Sequence, residues 1–311
     1  MRRQRGLALI VALLVVALTA VIASALMRGE SLWFKEASNI RALSEARAAT
    51  DGAFRLAAIE LTEEGRHDPI DSLTERWAQP LPRFPVAGGV VHARLLDAEG
   101  RFNVNDLVVA GQPVPAAVAM FTRLLGFVGL DPALAQAVVA WETPPGSPGG
   151  GFDAVYLGQR TPYRAGRQPL SGVSELRLVR GFNAKMVHDL RPYITALPLA
   201  TPINIDTAPA LVLAALCPGL TLKEAQTLGN EALQNPFASE AAFQAALPHG
   251  VVPAYQAGVQ SNYFLAHVTA RFGGLVARRR ALLYRAARGQ PTVILWQEAL
   301  WDHRHIKRGH T

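Results

Sequence analysis

The chain has 311 residues, half of them hydrophobic, with 31 basic and 24 acidic residues, a formal charge of +7 and a single cysteine, Cys217. That apolar content excludes a disordered chain, and one cysteine excludes an internal disulfide framework. Without Arg2, Arg3 and Arg5 the balance is 28 basic to 24 acidic residues, too even to read a nucleic-acid surface from charge alone.

Behind those three arginines, Leu7 to Met27 is a run of 21 residues without a charge. As a helix it spans about 31 Å, the thickness of a bilayer's hydrocarbon core. Basic residues precede it, and Arg28, Glu30, Lys35 and Glu36 of mixed sign follow, which puts the N-terminus in the cytoplasm. Ala23-Ser24-Ala25 leaves open an alternative: a cleaved secretory signal, a mature chain starting near Leu26 and a secreted β-rich protein. Against it, Trp33, Ala37, Ile40, Leu43, Ala46, Ala49, Ala53, Leu56 and Ala57 recur mostly three or four apart, as one helical stripe. No proline interrupts Arg28 to Asp68, so one helix is predicted to continue to about Glu64, where Gly65 and Asp68-Pro69 stop it.

Val90 to Asp97 alternates as a strand and turns at Asp97-Ala98-Glu99-Gly100. Asn103, Asn105 and Asp106 follow; short polar side chains so placed bond to the backbone of a turn more often than they ligate. From Pro115 to about Leu247 the period is helical. Helices are predicted at Ala116–Phe127, from a cap at Asp131-Pro132 to Trp141, and at Ser174–Val179, Ala184–Leu190, Ala208–Leu216 and Leu222–Leu228. The last opens with Thr221-x-x-Glu224, a capping box. Thr143 to Gly151, rich in proline and glycine, is a loop. Tyr263–Phe272 alternates again, turns at Gly273-Gly274, returns as Leu275–Tyr284, and a strand at Thr292–Gln297 closes the pattern.

The predicted fold is α+β. A long N-terminal helix, transmembrane over 7–27 and amphipathic over 28–66, lies on an antiparallel sheet drawn from 67–110 and 251–301. An inserted α-helical domain at 111–250 splits the sheet, and 302–311 is a polar tail.

Chemistry is sparse. No G-x-S-x-G, H-E-x-x-H, P-loop or paired-cysteine pattern occurs, so no enzyme is predicted. His303, His305 and His310 with Asp302 sit among Arg304, Lys307 and Arg308, the composition of a solvated tail rather than a metal site. Cys217 lies in an apolar stretch and reads as a buried, inert thiol. Leu216-Cys217-Pro218-Gly219-Leu220 and Leu178–Phe182 look like helix-hairpin-helix turns, which present backbone N–H groups to DNA phosphates. Thr221 and Asn183 replace the usual second glycine, and Lys223 is the only basic residue near the later turn. The pair reads as a packing module, and a membrane-anchored DNA-binding or DNA-uptake protein is the alternative from another functional class.

Arg5-Gly6 set directly against the apolar run resembles the leader that prepilin peptidases cut after glycine, and a long helix half in the membrane and half on a head is the pilin pattern. Arg101 to Leu107 resembles a string that follows the first strand in one branch of that family. Glu175-Leu176 with Arg180-Gly181, then Ile203 to Ala208, then Ser261 to Phe264 match in order. Over nearly its whole length the chain is similar to the K-type minor pseudopilins of type II secretion systems (the GspK family, general secretion pathway protein K).

That resemblance implies a non-enzymatic subunit at the pseudopilus tip, needed for protein export across the outer membrane. Prepilin peptidase would process it between Gly6 and Leu7. It would span the inner membrane once, with a periplasmic head, and bind I- and J-type minor pseudopilins through Trp33, Ala37 and Ile40. Val11 stands where most pilins carry glutamate, a departure the K type shares. The family's inserted domain binds calcium at aspartate-rich strings; here Ala140 to Pro145 and Gly150 to Asp153 leave Glu142 and Asp153 as the metal candidates. Two carboxylates are few for a calcium cage, so the resemblance leaves both an intact calcium site and a weak or lost one open.

Overall fold

The computed structural model of the chain describes residues 2–79, 83–147 and 153–300, the side chains of 2–11 and 25–32 excepted. The side chains of Leu7 and Val11 and the surroundings of Gly6 are not described, and the tail at 302–311 with its histidines lies outside the described residues.

α1 (Arg2–His67) is one helix of 66 residues. From Arg41 onward it is rich in alanine, leucine, glutamate and arginine, all strong helix formers. Arg66 and His67 place positive charge on its negative end. It runs three residues past Glu64 because Gly65 does not act as a stop. A Cβ at Gly65 would lie 2.8 Å from Nη1 of Arg285, so this glycine serves close packing inside the helix.

The chain then forms the hairpin β1 (Phe84–Val86) and β2 (Gly89–Asp97) and enters the insert through β3 (Phe102–Asn103), β4 (Val108–Val109) and β5 (Gln112–Pro113). The insert comprises α2 (Pro115–Val128), α3 (Leu134–Glu142), α4 (Ala154–Leu157), a 3-10 helix at Val173–Leu178, α5 (Ala184–Leu190), β6 (Ile194–Thr195) and β7 (Ile203–Asn204). It continues as α6 (Ala210–Leu216), α7 (Leu222–Ala232), α8 (Glu240–Ala246) and β8 (Ala257–Gly258). The chain returns as β9 (Tyr263–Phe272), β10 (Leu275–Tyr284) and β11 (Val293–Ala299). The main sheet is antiparallel in the order β1-β2-β9-β10-β11, and β2 meets β9 from Gly89↔Phe272 to Asp97↔Phe264. Gly273 and Gly274, with φ of 50° and 86°, make the turn between β9 and β10, a geometry other residues resist.

Three local predictions are corrected. α3 begins at Leu134, not at the Asp131-Pro132 cap: Leu134 N bonds Asp131 O at 3.1 Å, so a turn precedes the helix. α4, α8 and β1 are elements the pattern did not announce. The apolar residues of α1 are not one stripe. Ala46 and Ala57 are buried and Ala49 and Ala53 pack beside them, whereas Leu43 and Leu56 are exposed; Phe54 and Leu61 carry the buried contact instead. Alanines here let the strands approach the helix, and the apolar period alone cannot say which flank the sheet will cover.

Two main cores result. Phe54, Leu61 and Trp77 pack with Phe264, Val268 and Leu283 between α1 and the sheet. A larger core inside the insert joins Phe102, Phe121, Trp141, Leu213 and Phe243, with Phe102 stacked on Phe121 at 5.4 Å. Each large apolar side chain so enclosed contributes about 1.5–3 kcal/mol.

Arg285, at the end of β10, ties these parts together. It is 2% exposed and Asp71 is 1% exposed. Its guanidinium donates to Asp71 Oδ1 at 2.5 Å, to Leu61 O in α1 at 3.0 Å and to Ser261 O before β9 at 3.0 Å, and it sits 5.2 Å from the Phe264 ring centroid. Asp71 Oδ2 accepts from Ser261 N at 2.8 Å and from Arg288 at 3.1 Å. Removing one partner of a buried pair strands the other charge. Arg285→Met is expected to lower unfolding free energy by about 3–5 kcal/mol. Urea denaturation of the detergent-solubilised chain checks this; a midpoint unchanged from wild type would contradict it.

Candidate functional site

For a chain without a recognisable catalytic motif, the surfaces to weigh are the uncovered face of α1, the junction where the matched strings meet, and the loop behind Trp141.

Trp33, Phe34 and Ile40 are 76%, 78% and 63% exposed, and Ala37 is exposed between them. At 100° per residue, Trp33, Ala37 and Ile40 fall on the side of α1 roughly opposite Ala46, which faces the sheet. The helix thus carries a second apolar face that the fold leaves open. Phe34, exposed beside them, was missed in the sequence although it lies three residues before Ala37.

Asn103, Asn105 and Asp106 do bond to a turn, since Asn105 N donates to Asn103 Oδ1 at 3.2 Å. Their larger role is distant. Asn103 Oδ1 accepts from Leu197 N at 2.9 Å, and Asn105 bridges Leu170 and Leu197 by bonds of 2.8–3.0 Å. Asp106 accepts from Asn103 at 2.7 Å and from the Tyr255 hydroxyl at 2.9 Å, and burial pushes its carboxyl up to about 7.

The strings 203–208 and 261–264 converge on the end of β2. Asp97 Oδ2 accepts from Asn204 Nδ2 at 2.9 Å, Thr207 Oγ1 at 2.5 Å and Ser261 Oγ at 2.7 Å. Asn204 also donates to Asp71 O at 2.8 Å. Glu99 Oε1 accepts from the N–H groups of Asn262 and Tyr263 at 2.8 and 2.9 Å. Gly100 permits the approach, since a Cβ there would lie 2.4 Å from Thr207 Oγ1 and 2.7 Å from the Thr207 carbonyl oxygen. Segments far apart in sequence are therefore one junction, where insert, sheet and the segment after α1 share hydrogen bonds.

The two metal candidates do not assemble. Glu142 is buried, neither of its carboxylate oxygens accepts a hydrogen bond, and burial with Asp106 and Glu175 nearby pushes its carboxyl up to about 9. Asp153 pairs instead with Arg167 at 2.8 Å, which holds its carboxyl below the usual range. Among the described residues no three His, Cys, Asp or Glu side chains converge. Calcium takes six to eight oxygens, and this donor set does not fit it.

The hairpin turns pack inward. Gly181 and Gly219 have φ of 91° and 92°, and Val179, Phe182, Leu216, Cys217 and Leu220 around them are buried in the insert's core. Burial pushes the Cys217 thiol up to about 12. The Thr221–Glu224 capping box forms as predicted, with bonds of 2.8 and 3.3 Å.

Comparison with known proteins gives one consistent result. The chain matches the type II secretion system (T2SS) protein K family over residues 100–199 and again over 203–261. It is 35% identical to the type II secretion system protein K of Klebsiella pneumoniae, over 92% of this chain and 94% of that one. Against the protein of the same description from Pseudomonas aeruginosa it is 34% identical over 75% of each. Among solved structures it resembles a chain in the crystal structure of the GspK-GspI-GspJ complex from enterotoxigenic Escherichia coli, with a TM-score of 0.69 and 22% identity, over 85% of this chain and 99% of that one. That likeness shows a shared mixed helix-and-sheet fold.

The junction carries a pH signature. Burial, with hydrogen bonds opposing it, holds Asp97 up to about 6; burial and the nearby Asp97 hold Glu99 up to about 8. Both titrate higher in the folded chain than in the unfolded one. Their contribution is therefore full below about pH 4 and is lost as pH rises through 6 and then 8. Glu99→Gln keeps an acceptor for both N–H groups and removes the ionisation. A urea-midpoint series should fall more steeply between pH 7 and 9 in wild type than in Glu99→Gln, where other raised carboxyls such as Glu142 still titrate, a difference on the order of 1 kcal/mol. Parallel profiles would contradict it.

Proposed function

The chain belongs to the type II secretion system protein K family, the K-type minor pseudopilins of type II secretion, and we propose that it works as the tip subunit of the pseudopilus. In this reading a single membrane helix with a cytoplasmic N-terminus holds it in the inner membrane, the head stands in the periplasm, and I- and J-type minor pseudopilins are its partners. The observation that carries the reading is the uncovered apolar surface of α1. Leu13, Leu14, Val16, Leu18 and Val21 are more than half exposed, and the aromatic face at Trp33 and Phe34 follows. Among the described residues no helix is long and apolar enough to cross a membrane. Side chains of the run 7–27 are described only over 12–24, so the spanning role rests on the sequence and on the exposure of that part.

The tip placement rests on charge. A shaft subunit needs a carboxylate near the start of its apolar helix to neutralise a neighbour's N-terminal ammonium, because an unpaired charge in that layer costs at least about 2.5 kcal/mol. Val11 offers none, and a subunit placed first has no predecessor to neutralise. The bulk of the insert supports the same position, since a large domain crowds a helical lattice but is free at an end. The E. coli complex is an assembly of proteins named K, I and J, which supports the partner assignment.

Three tests follow from this reading. Gly6→Phe should leave a full-length precursor in the membrane, because the extended peptide then enters the peptidase with an obstructing side chain; normal maturation of that variant, read by intact mass, contradicts prepilin processing. Trp33→Glu with Ile40→Glu should change head stability by less than about 0.5 kcal/mol, since both positions are exposed, yet abolish co-purification of the I- and J-type partners. Labelled wild-type subunits should mark one end of isolated pseudopili; label repeating along the shaft rules the tip out.

A further inference from the structure

The loop behind α3 contains a cation of its own. Arg167 has a positive φ of 56°, one of only two described non-glycine residues in that region. A bulky residue in the left-handed region is an outlier that its surroundings must hold in place. The surroundings are the C-terminal end of α3. Arg167 N donates to Trp141 O at 2.9 Å. Its Nη1 donates to Ala140 O at 3.2 Å and Thr143 O at 3.1 Å, and its Nη2 to Asp153 Oδ1 at 2.8 Å. The side chain is 16% exposed. Gly166 makes the approach feasible, because a Cβ there would lie 2.8 Å from the Trp141 indole nitrogen.

Two main-chain carbonyls and a carboxylate around one positive centre form a hard-oxygen set of the kind that takes a divalent cation. The Ala140 carbonyl also belongs to the last turn of α3, the negative end of its dipole, where a positive charge is favoured. We propose that the Arg167 guanidinium is the resident cation of this loop: it occupies the oxygens of Ala140, Thr143 and Asp153 and makes the loop's structure independent of calcium. A divalent ion on the same oxygens would have to displace a covalently tethered charge, and among the described residues no three His, Cys, Asp or Glu side chains converge to favour it. The guanidinium's planar fork explains why arginine suits the place, since it reaches three oxygens in different directions at once.

The test is thermal unfolding of the full chain in detergent micelles. Wild type should melt at the same temperature in millimolar calcium and in chelator. Arg167→Gln should melt roughly 5 °C lower in both, the shift expected for losing charge-assisted hydrogen bonds in a chain of this size. Arg167→Lys, which keeps the charge but not the fork, should fall between them. A calcium-dependent rise in the wild-type melting temperature overturns the proposal, and so does Arg167→Gln melting with wild type. If Arg167→Gln does not fold, Asp153→Asn replaces it. That variant removes only the counter-charge, and a melting temperature equal to wild type is then the overturning result. The wild-type calcium arm stands without any variant.

Discussion

The structure depends on one buried ion pair. Arg285 and Asp71 are both almost wholly removed from water, and each is satisfied by groups from a different part of the chain. A charge in such a place is tolerated only when its counter-charge and hydrogen bonds are supplied with good geometry. That requirement sets the relative position of the C-terminal part of α1, the segment after it, the start of β9 and the end of β10. If any one of them shifts, a charge loses partners in a medium that cannot solvate it. Apolar packing alone would leave α1 free to slide along the sheet; the pair fixes where along its length it sits.

The periodic elements were legible because their signals are local. β2, β9, β10, α2 and α5 lie within a residue or so of where alternation, turn glycines and helical period place them. What was illegible is of two kinds. The face of α1 that meets the sheet depends on the strands, so an apolar period read on the helix merged two opposite surfaces. The polar networks join residues far apart in sequence, such as Asp71 with Arg285 and Asn204 with Asp97, and no spacing rule connects them. Asn103 and Asn105 show the boundary: their turn-forming role was readable, and their longer reach to Leu170 and Leu197 was not. Arg167 gave no sequence signal, since an arginine after Gly166 in a polar loop is unexceptional until its carbonyl partners are known.

The strings that carried the family resemblance have a physical reason to be alike. Two of them, 203–208 and 261–264, line the junction rather than an outer surface. Asn204, Thr207 and Ser261 surround one carboxylate, and Gly100 makes room for them. At this junction a large insert is joined to a sheet without leaving polar groups unsatisfied.

The pairing of Asp97 with Phe264 has a topological consequence. The insert leaves and re-enters at adjacent, hydrogen-bonded strand ends, so to the sheet it is merely a very long hairpin loop. Closing an unstructured loop of that length is only slightly more unfavourable than closing a short one, because the entropy grows with the logarithm of length. Residues can be gained or lost inside the insert without moving the β2–β9 register, which is set by the strands themselves. The two bodies are free to diverge in size at different rates while their shared seam stays as it is.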